Sequence, residues 1–99
     1  MGLGVAAPAA AEPAPDAVWH RLAECESGGD WAINSGNGYY GGLQFDRRTW
    51  SSHGGAEHAT LPSEAAPRQQ IAVGEQVREE RGGYGAWPSC ARELDLPLG

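Results

Sequence analysis

Apolar residues recur at helical spacing in four stretches of the chain, and between the first and second of these the pattern breaks down. From Ala17 onward, Val18, Leu22 and Cys25 stand at i, i+4 and i+7, and Trp19, Leu22, Ala23 and Glu26 continue that face. Ser27-Gly28-Gly29 supplies a helix stop. The stretch from Asp30 to Phe45 is dense in Asn and Gly, and its short runs at Trp31–Asn34 and Tyr39–Phe45 predict a small β-hairpin or a long loop. Asp46 is placed to cap a second helix running to about His53, closed by Gly54-Gly55. Pro67 suits the first position of a third helix reaching Arg81, with Gly82-Gly83 as its stop. Gly74 lies inside that helix, at a cost of about 1 kcal/mol relative to Ala. A short last helix is predicted from Pro88 to Leu94, with Cys90 on its inner side. The fold class is therefore α+β, mainly α, with one small β-hairpin or loop insert. One folded domain is expected over 17–96, after a flexible Ala/Pro segment at 1–16 and before a short tail at 97–99. Trp19, Phe45, Trp50 and Trp87 are the expected core aromatics.

Composition narrows the function classes. A chain of 99 residues makes one domain with a small core, a size at which a staple is commonly needed. Its net charge of −6 argues against nucleic acid and against anionic lipid as partners. The apolar run Met1–Ala11 is too short to span a bilayer. Ala9-Ala10-Ala11 before Glu12 fits an A-x-A cleavage site without a basic region ahead of it, so the start reads either as the tail of a signal peptide or as a linker. His20, His53 and His58 have no metal-ligand spacing, and two cysteines cannot close a zinc site; no metal and no cofactor are expected. Cys25 and Cys90 instead form an even pair in a small loop-rich chain, the pattern of a disulfide in an exported protein. Closing so long a loop contributes about 4 kcal/mol on the chain-entropy account.

Glu26 fits poorly as ordinary surface. It lies about 40° around the helix from Leu22 and about 100° from Cys25, toward the apolar face, whereas Glu24 lies about 200° from Leu22 and points to solvent. Partial burial and the helix C-terminus both push such a carboxyl's pKa up, and a carboxyl still protonated near neutrality is what a general acid needs. The insert supplies complementary groups. Trp31, Tyr39 and Tyr40 offer flat faces to a sugar ring, although Trp31 serves equally well in the core. Asn34, Asn37 and Gln44 can bond hydroxyls and N-acetyl groups. If the insert runs as a strand, Tyr40, Gly42 and Gln44 share the parity that faces the cleft, and Tyr39, Leu43 and Phe45 face the core. Two-carboxylate hydrolysis wants a second acid. Asp30 and Asp46 are nearest in sequence, but both read more simply as caps, and no second acid stands out.

The segment WHRLAECESGGDWAINSGNGYYGGLQFDRRTW, with QQIAV and GYGAWPSC downstream, closely resembles the catalytic domain of resuscitation-promoting factors, secreted actinobacterial proteins. The resemblance covers about Val18 to Leu96 and includes the cysteine pair. It implies a minimal lysozyme-like fold related to soluble lytic transglycosylases. It implies peptidoglycan glycan strands as substrate, cut at the β-1,4 bond between N-acetylmuramic acid and N-acetylglucosamine. The family's catalytic glutamate follows the first cysteine, which is Glu26 here. Gly42-Leu43-Gln44 is similar to the groove-lining Gly-Leu-x-Gln element, and Thr49 matches a position near the acid. The resemblance further implies one Glu acting as both acid and base, a monomer acting outside the cell at the wall, and regrowth of dormant cells through wall remodelling. Some members work with a peptidoglycan endopeptidase, which becomes a candidate partner. Whether the product is a 1,6-anhydro sugar or a hydrolysed end is left open.

The chain departs from the family pattern at four places. Asp30 stands where Asn is usual and adds a negative charge near the groove. Tyr84 stands for Trp, Arg81-Gly82-Gly83 for Gln-Gly, and Gly74 for Ala. Two other functions compete with the enzyme: a module that binds wall fragments without cutting them, and a cytokine-like ligand, which predicts an exposed apolar patch rather than a groove.

Overall fold

A computed structural model describes residues 13–99. The chain folds as four α-helices, α1 (Asp16–Ser27), α2 (Arg47–Ser52), α3 (Pro67–Arg81) and α4 (Pro88–Glu93), with short 3₁₀ turns at Gly55–Glu57 and Pro62–Glu64. The signal-peptide or linker reading of the first residues lies outside the described residues. Of the segment expected to be flexible, Ala14 reaches α3, where its N–H donates to Glu75 Oε2 at 2.7 Å, and Asp16 already opens α1. At the other end the fold runs past Leu96: Tyr84 N–H donates to the carbonyl of Pro97 at 2.8 Å.

Each helix boundary has a local cause. α1 stops because Gly28 adopts φ 69°, a left-handed conformation that a Cβ disfavours; its N–H donates to the Glu24 carbonyl at 3.0 Å and the N–H of Gly29 to the Ala23 carbonyl at 3.1 Å. Asp46 caps α2, its Oδ1 accepting from Thr49 N–H at 2.7 Å. Pro67 opens α3 where its missing N–H costs nothing, and Gly82 at φ 76° ends it.

The insert forms no hairpin. Its only β pairing among the described residues is a bridge between Tyr40 and Phe45. The reason is the four-residue turn between them, with Gly41 at φ 79° and Gln44 at φ 52°. The remainder of the insert is loop, so the mainly helical class stands with its β part reduced to one pair of residues.

The core is aromatic. Trp19, Leu22 and Ala23 of α1 pack with Val73 and Val77 of α3, with Leu43 and Phe45 of the insert, with Trp50 of α2, and with Tyr84, Trp87 and Ala91. The Trp19 ring meets Trp87 edge-on at 5.4 Å and Tyr84 at 5.5 Å. Burying an indole leaves an N–H to satisfy. Trp19 donates to Glu75 Oε2 at 2.7 Å, Trp50 to the Ala59 carbonyl at 2.9 Å, and Trp87 to the Leu43 carbonyl at 2.8 Å. The expected core role of Trp19, Phe45, Trp50 and Trp87 agrees with their burial. Gly74 has a packing role that propensity alone does not give: a Cβ there would stand 2.9 Å from the Trp19 ring and 3.2 Å from Leu43 Cδ1. α1 and α4 pack together and are joined by the Cys25–Cys90 disulfide. No helix of the described residues is long and apolar enough to cross a membrane.

Candidate active site

Glu26 is the penultimate residue of α1, next to Cys25, so the disulfide to Cys90 fixes its backbone against the start of α4. Its carboxyl is half-buried, and burial pushes its pKa above the ordinary Glu value. Glu24 is exposed and turns toward Gly29 instead.

Glu26 opens into a depression of about 290 Å³ that it shares with Tyr39, Gln44 and Trp87. A second depression of about 290 Å³ adjoins it across Tyr39, Gln44, Ala86, Trp87 and Pro88 and adds Thr49, Asp46 and Arg81. Together they make one cleft. One side is the end of α1 with the Gly85–Ser89 segment; the other is the insert with the start of α2.

Gln44 sits in this cleft with a left-handed backbone, φ 52°, and its side-chain Nε2 donates to the Gly41 carbonyl at 3.2 Å. Such a backbone costs a residue with a Cβ roughly 1 kcal/mol, and strain of this sort collects at functional sites. Thr49 is held twice by Asp46: its N–H donates to Oδ1 at 2.7 Å and its hydroxyl to Oδ2 at 3.1 Å. Asp46 thereby has both carboxylate oxygens engaged as a helix cap. Asp30 accepts from Ala32 N–H at 3.1 Å and caps the turn after α1. Glu26 is the only carboxylate lining its own depression among the described residues. No group of three His, Cys, Asp or Glu among the described residues is arranged to hold a metal ion.

The structure thus brings Glu26, Gln44 and Thr49 together. Trp31, Asn34 and Tyr40 are not among the residues lining either depression. Trp31 is half-buried; its ring covers Gly42, where a Cβ would strike it, and meets His20 edge-on at 5.3 Å. Asn34 is exposed on the loop, and Tyr40 lies 5.8 Å below the Arg47 guanidinium. Tyr39, assigned by strand parity to the core, is 48% exposed and lines the cleft. The correction has one physical cause: parity holds along an extended strand, and the turn at Gly41–Gln44 breaks it.

Two further residues shape the site. Trp87 is both core and cleft floor. Gln70 of α3, fully buried, organises the insert from behind: its Oε1 accepts from Gly42 N–H at 2.9 Å, and its Nε2 donates to the carbonyls of Trp31 at 2.8 Å and Ala65 at 3.0 Å. The signal was a polar residue on an apolar face, since Gln70 shares its side of α3 with Val73, Gly74 and Val77.

Comparison with known proteins gives the family of the chain. The chain is 56% identical over 86 residues to the resuscitation-promoting factor Rpf1 of Corynebacterium glutamicum, covering 87% of this chain and 44% of that protein. It is 54% identical over 93 residues to the resuscitation-promoting factor RpfA of Mycobacterium tuberculosis, covering 94% of this chain and 23% of that protein. It is 47% identical over 90 residues to RpfC of the same species, covering 91% of this chain and 61% of that protein. The chain therefore spans about half or less of the first two relatives' lengths. The family described as "Transglycosylase-like domain" matches residues 13–90, a span that takes in Glu26, the insert, Thr49 and both cysteines, and the chain belongs to that family.

Proposed function

We propose that this domain cleaves the glycan strands of peptidoglycan at the β-1,4 bond between N-acetylmuramic acid and N-acetylglucosamine, and does so as a lytic transglycosylase. The observation that carries the reading is Glu26: a half-buried carboxyl with a raised pKa, the only carboxylate among the described residues lining the depression it shares with Tyr39 and Gln44. Protonated Glu26 gives its proton to the glycosidic oxygen as the bond to muramic C1 breaks. Positive charge develops at C1, where the substrate's own N-acetyl oxygen stabilises it. The Glu26 carboxylate then takes the proton of the C6 hydroxyl as that oxygen closes on C1, which leaves a 1,6-anhydro end. A single carboxyl serves as acid and then base, consistent with the other cleft carboxylate being tied up as a helix cap. Gln44 and Thr49 contact the sugar, and Tyr39 offers it an exposed ring.

The wider reading follows from the relatives' description as resuscitation-promoting factors. The domain acts outside the cell at the wall, where a disulfide persists. It acts as a monomer and promotes regrowth of dormant cells; a peptidoglycan endopeptidase is the partner to test. The cytokine-like alternative is disfavoured because Tyr39 and Leu98 are the only exposed large apolar residues among those described.

Incubation with purified cell wall, followed by mass spectrometry of the released muropeptides, tests the proposal. Products 18 Da lighter than hydrolysed ends are expected. Hydrolysed ends would replace the cyclisation step with water, and no release would reduce the domain to a binding module.

A further inference from the structure

Among the described residues, the cleft contains one arginine for which the fold shows no partner. Arg81, the last residue of α3, lines the second depression with Tyr39, Gln44 and Thr49. Its side chain is exposed and makes no hydrogen bond or ion pair with any described residue. Two other arginines are engaged: Arg78 pairs with Glu75 at 3.2 Å and lies over Tyr84, and Arg47 lies over Tyr40. Neighbouring anions do not claim Arg81 either. Glu80 is bonded to His53 Nε2 at 2.6 Å, and Asp46 is committed to Thr49. In a chain of net charge −6, this exposed guanidinium lining the cleft, close enough to His53 to act on its charge, is a positive point with no anionic partner among the described residues. Its anchorage is firm: Gly82 N–H and Gly83 N–H both return to the Arg78 carbonyl, at 2.8 and 3.1 Å, so the last helical turn holds the Arg81 backbone.

A bare chain of N-acetylated sugars carries no charge for Arg81 to meet. Peptidoglycan differs because its muramic units bear a peptide branch with free carboxylates, and a planar guanidinium fork matches a carboxylate two bonds at a time. Building on the peptidoglycan reading above, we infer that Arg81 is a specificity-determining residue that docks a carboxylate of the peptide branch, so that the cleft selects peptide-bearing glycan over bare glycan.

The test compares kcat/KM on peptide-bearing glycan strands with kcat/KM on the same strands after an amidase has removed the peptides. The wild-type ratio should favour the peptide-bearing substrate, and Arg81→Gln should lower that ratio roughly fivefold, as an exposed charge-assisted pair allows. Arg81→Lys should fall between them, and raising the salt should shrink the wild-type preference. A purely structural role at the helix end would lower thermal stability and both rates in parallel; that outcome, or an unchanged ratio, overturns the inference. If the wild type cuts neither substrate, the functional reading fails, and NMR titration with a muramyl dipeptide and its carboxamide decides the role of Arg81 by itself. Weaker binding of the free acid alone in Arg81→Gln supports the inference, and equal losses for both ligands refute it.

Discussion

The two flanks of the cleft are built by different means. The flank that carries Glu26 is held covalently and by packing: the Cys25–Cys90 bridge joins α1 to α4 one residue from the acid, and Trp19, Tyr84 and Trp87 close behind it. The opposite flank, with Tyr39, Gln44 and Thr49, has almost no regular structure. Gln70 holds it from behind and Asp46 holds its α2 end, both through hydrogen bonds. Chemistry needs one atom in one place, and a staple gives that. Recognition of a long polymer needs a shaped surface, and a loop pinned at a few polar points gives that while remaining the easier part to open. The flanks should therefore fail differently, and the variants below separate them.

The largest effect comes from Glu26→Gln, which leaves both flanks intact and removes only the proton. Cleavage should fall by 10²–10⁴-fold, the usual worth of general acid–base catalysis. Stability should move the other way. A carboxyl whose folded pKa lies above its unfolded value gives its full stability below the unfolded value, and that stability falls as pH rises through the folded value. Gln removes this fall, so the variant should melt above the wild type at pH 7 and no higher than it near pH 3.5. The descending limb of the wild-type kcat/KM profile should lie above the ordinary Glu range for the same reason. Calorimetry at the two pH values and a rate profile on soluble glycan check both halves. A variant that melts lower at pH 7 would remove burial as the cause of the shift.

Breaking the first flank is next. The disulfide spans 65 residues of sequence, so the double variant Cys25→Ser, Cys90→Ser should lose about 4 kcal/mol on the chain-entropy account. Activity measured well below the new melting point should fall less than stability does, because the aromatic packing still positions α1. A loss under about 1 kcal/mol by denaturant titration would mean that packing alone holds this flank.

The second flank breaks at Gln70→Leu. The swap keeps volume but leaves Gly42 N–H and the carbonyls of Trp31 and Ala65 without partners, for a cost on the order of 3 kcal/mol. Hydrogen exchange distinguishes this from general weakening: amides at Gly41 and Gly42 should exchange faster, while those in the middle of α1 should not. Uniform acceleration across the chain would show that the flanks open together.

The same contrast decides how much of the molecule was legible in its sequence. Helix starts and stops were readable because Asp46, Pro67, Gly28 and Gly82 act on their immediate neighbours. The disulfide was readable because a small chain with two cysteines has one pairing. The half-buried position of Glu26 was readable from its place on an apolar helix face. The second flank was not, because its shape is set by contacts distant in sequence: Gln70 lies 28 residues from Gly42 and 39 from Trp31. Strand parity exchanged the places of Tyr39 and Tyr40 because a turn at Gly41–Gln44 looks locally like an extended run. Gly74 read as a propensity cost, and only packing reveals the Trp19 ring beside it.

The smallest expected effect concerns the far end of the second flank, where α2 is tied to α3. His53 Nε2 donates to Glu80 Oε1 at 2.6 Å and Nδ1 to the Thr49 carbonyl at 2.8 Å, so both ring nitrogens face acceptors and the doubly protonated form is favoured. The hydrogen bond to Glu80 is the main cause that raises the His53 pKa, against burial and the nearby Arg81 charge, which lower it. A raised folded pKa places the contribution in full below the unfolded His value, near 6.5, and removes it as pH climbs through the folded value. Glu80 is 66% exposed, so solvent screens the pair and its worth is below about 1 kcal/mol. Glu80→Gln should therefore melt a few degrees below the wild type at pH 5.5, and the gap should close by pH 9. The Cys25–Cys90 bridge itself does not titrate, so once Glu26→Gln removes the acid's own pH dependence, the amides of that flank should show none matching that of His53 in hydrogen exchange corrected for intrinsic rates. A gap that widens with pH would mean that the pair does not hold α2 as an ion pair, and that Thr49 depends on Asp46 alone.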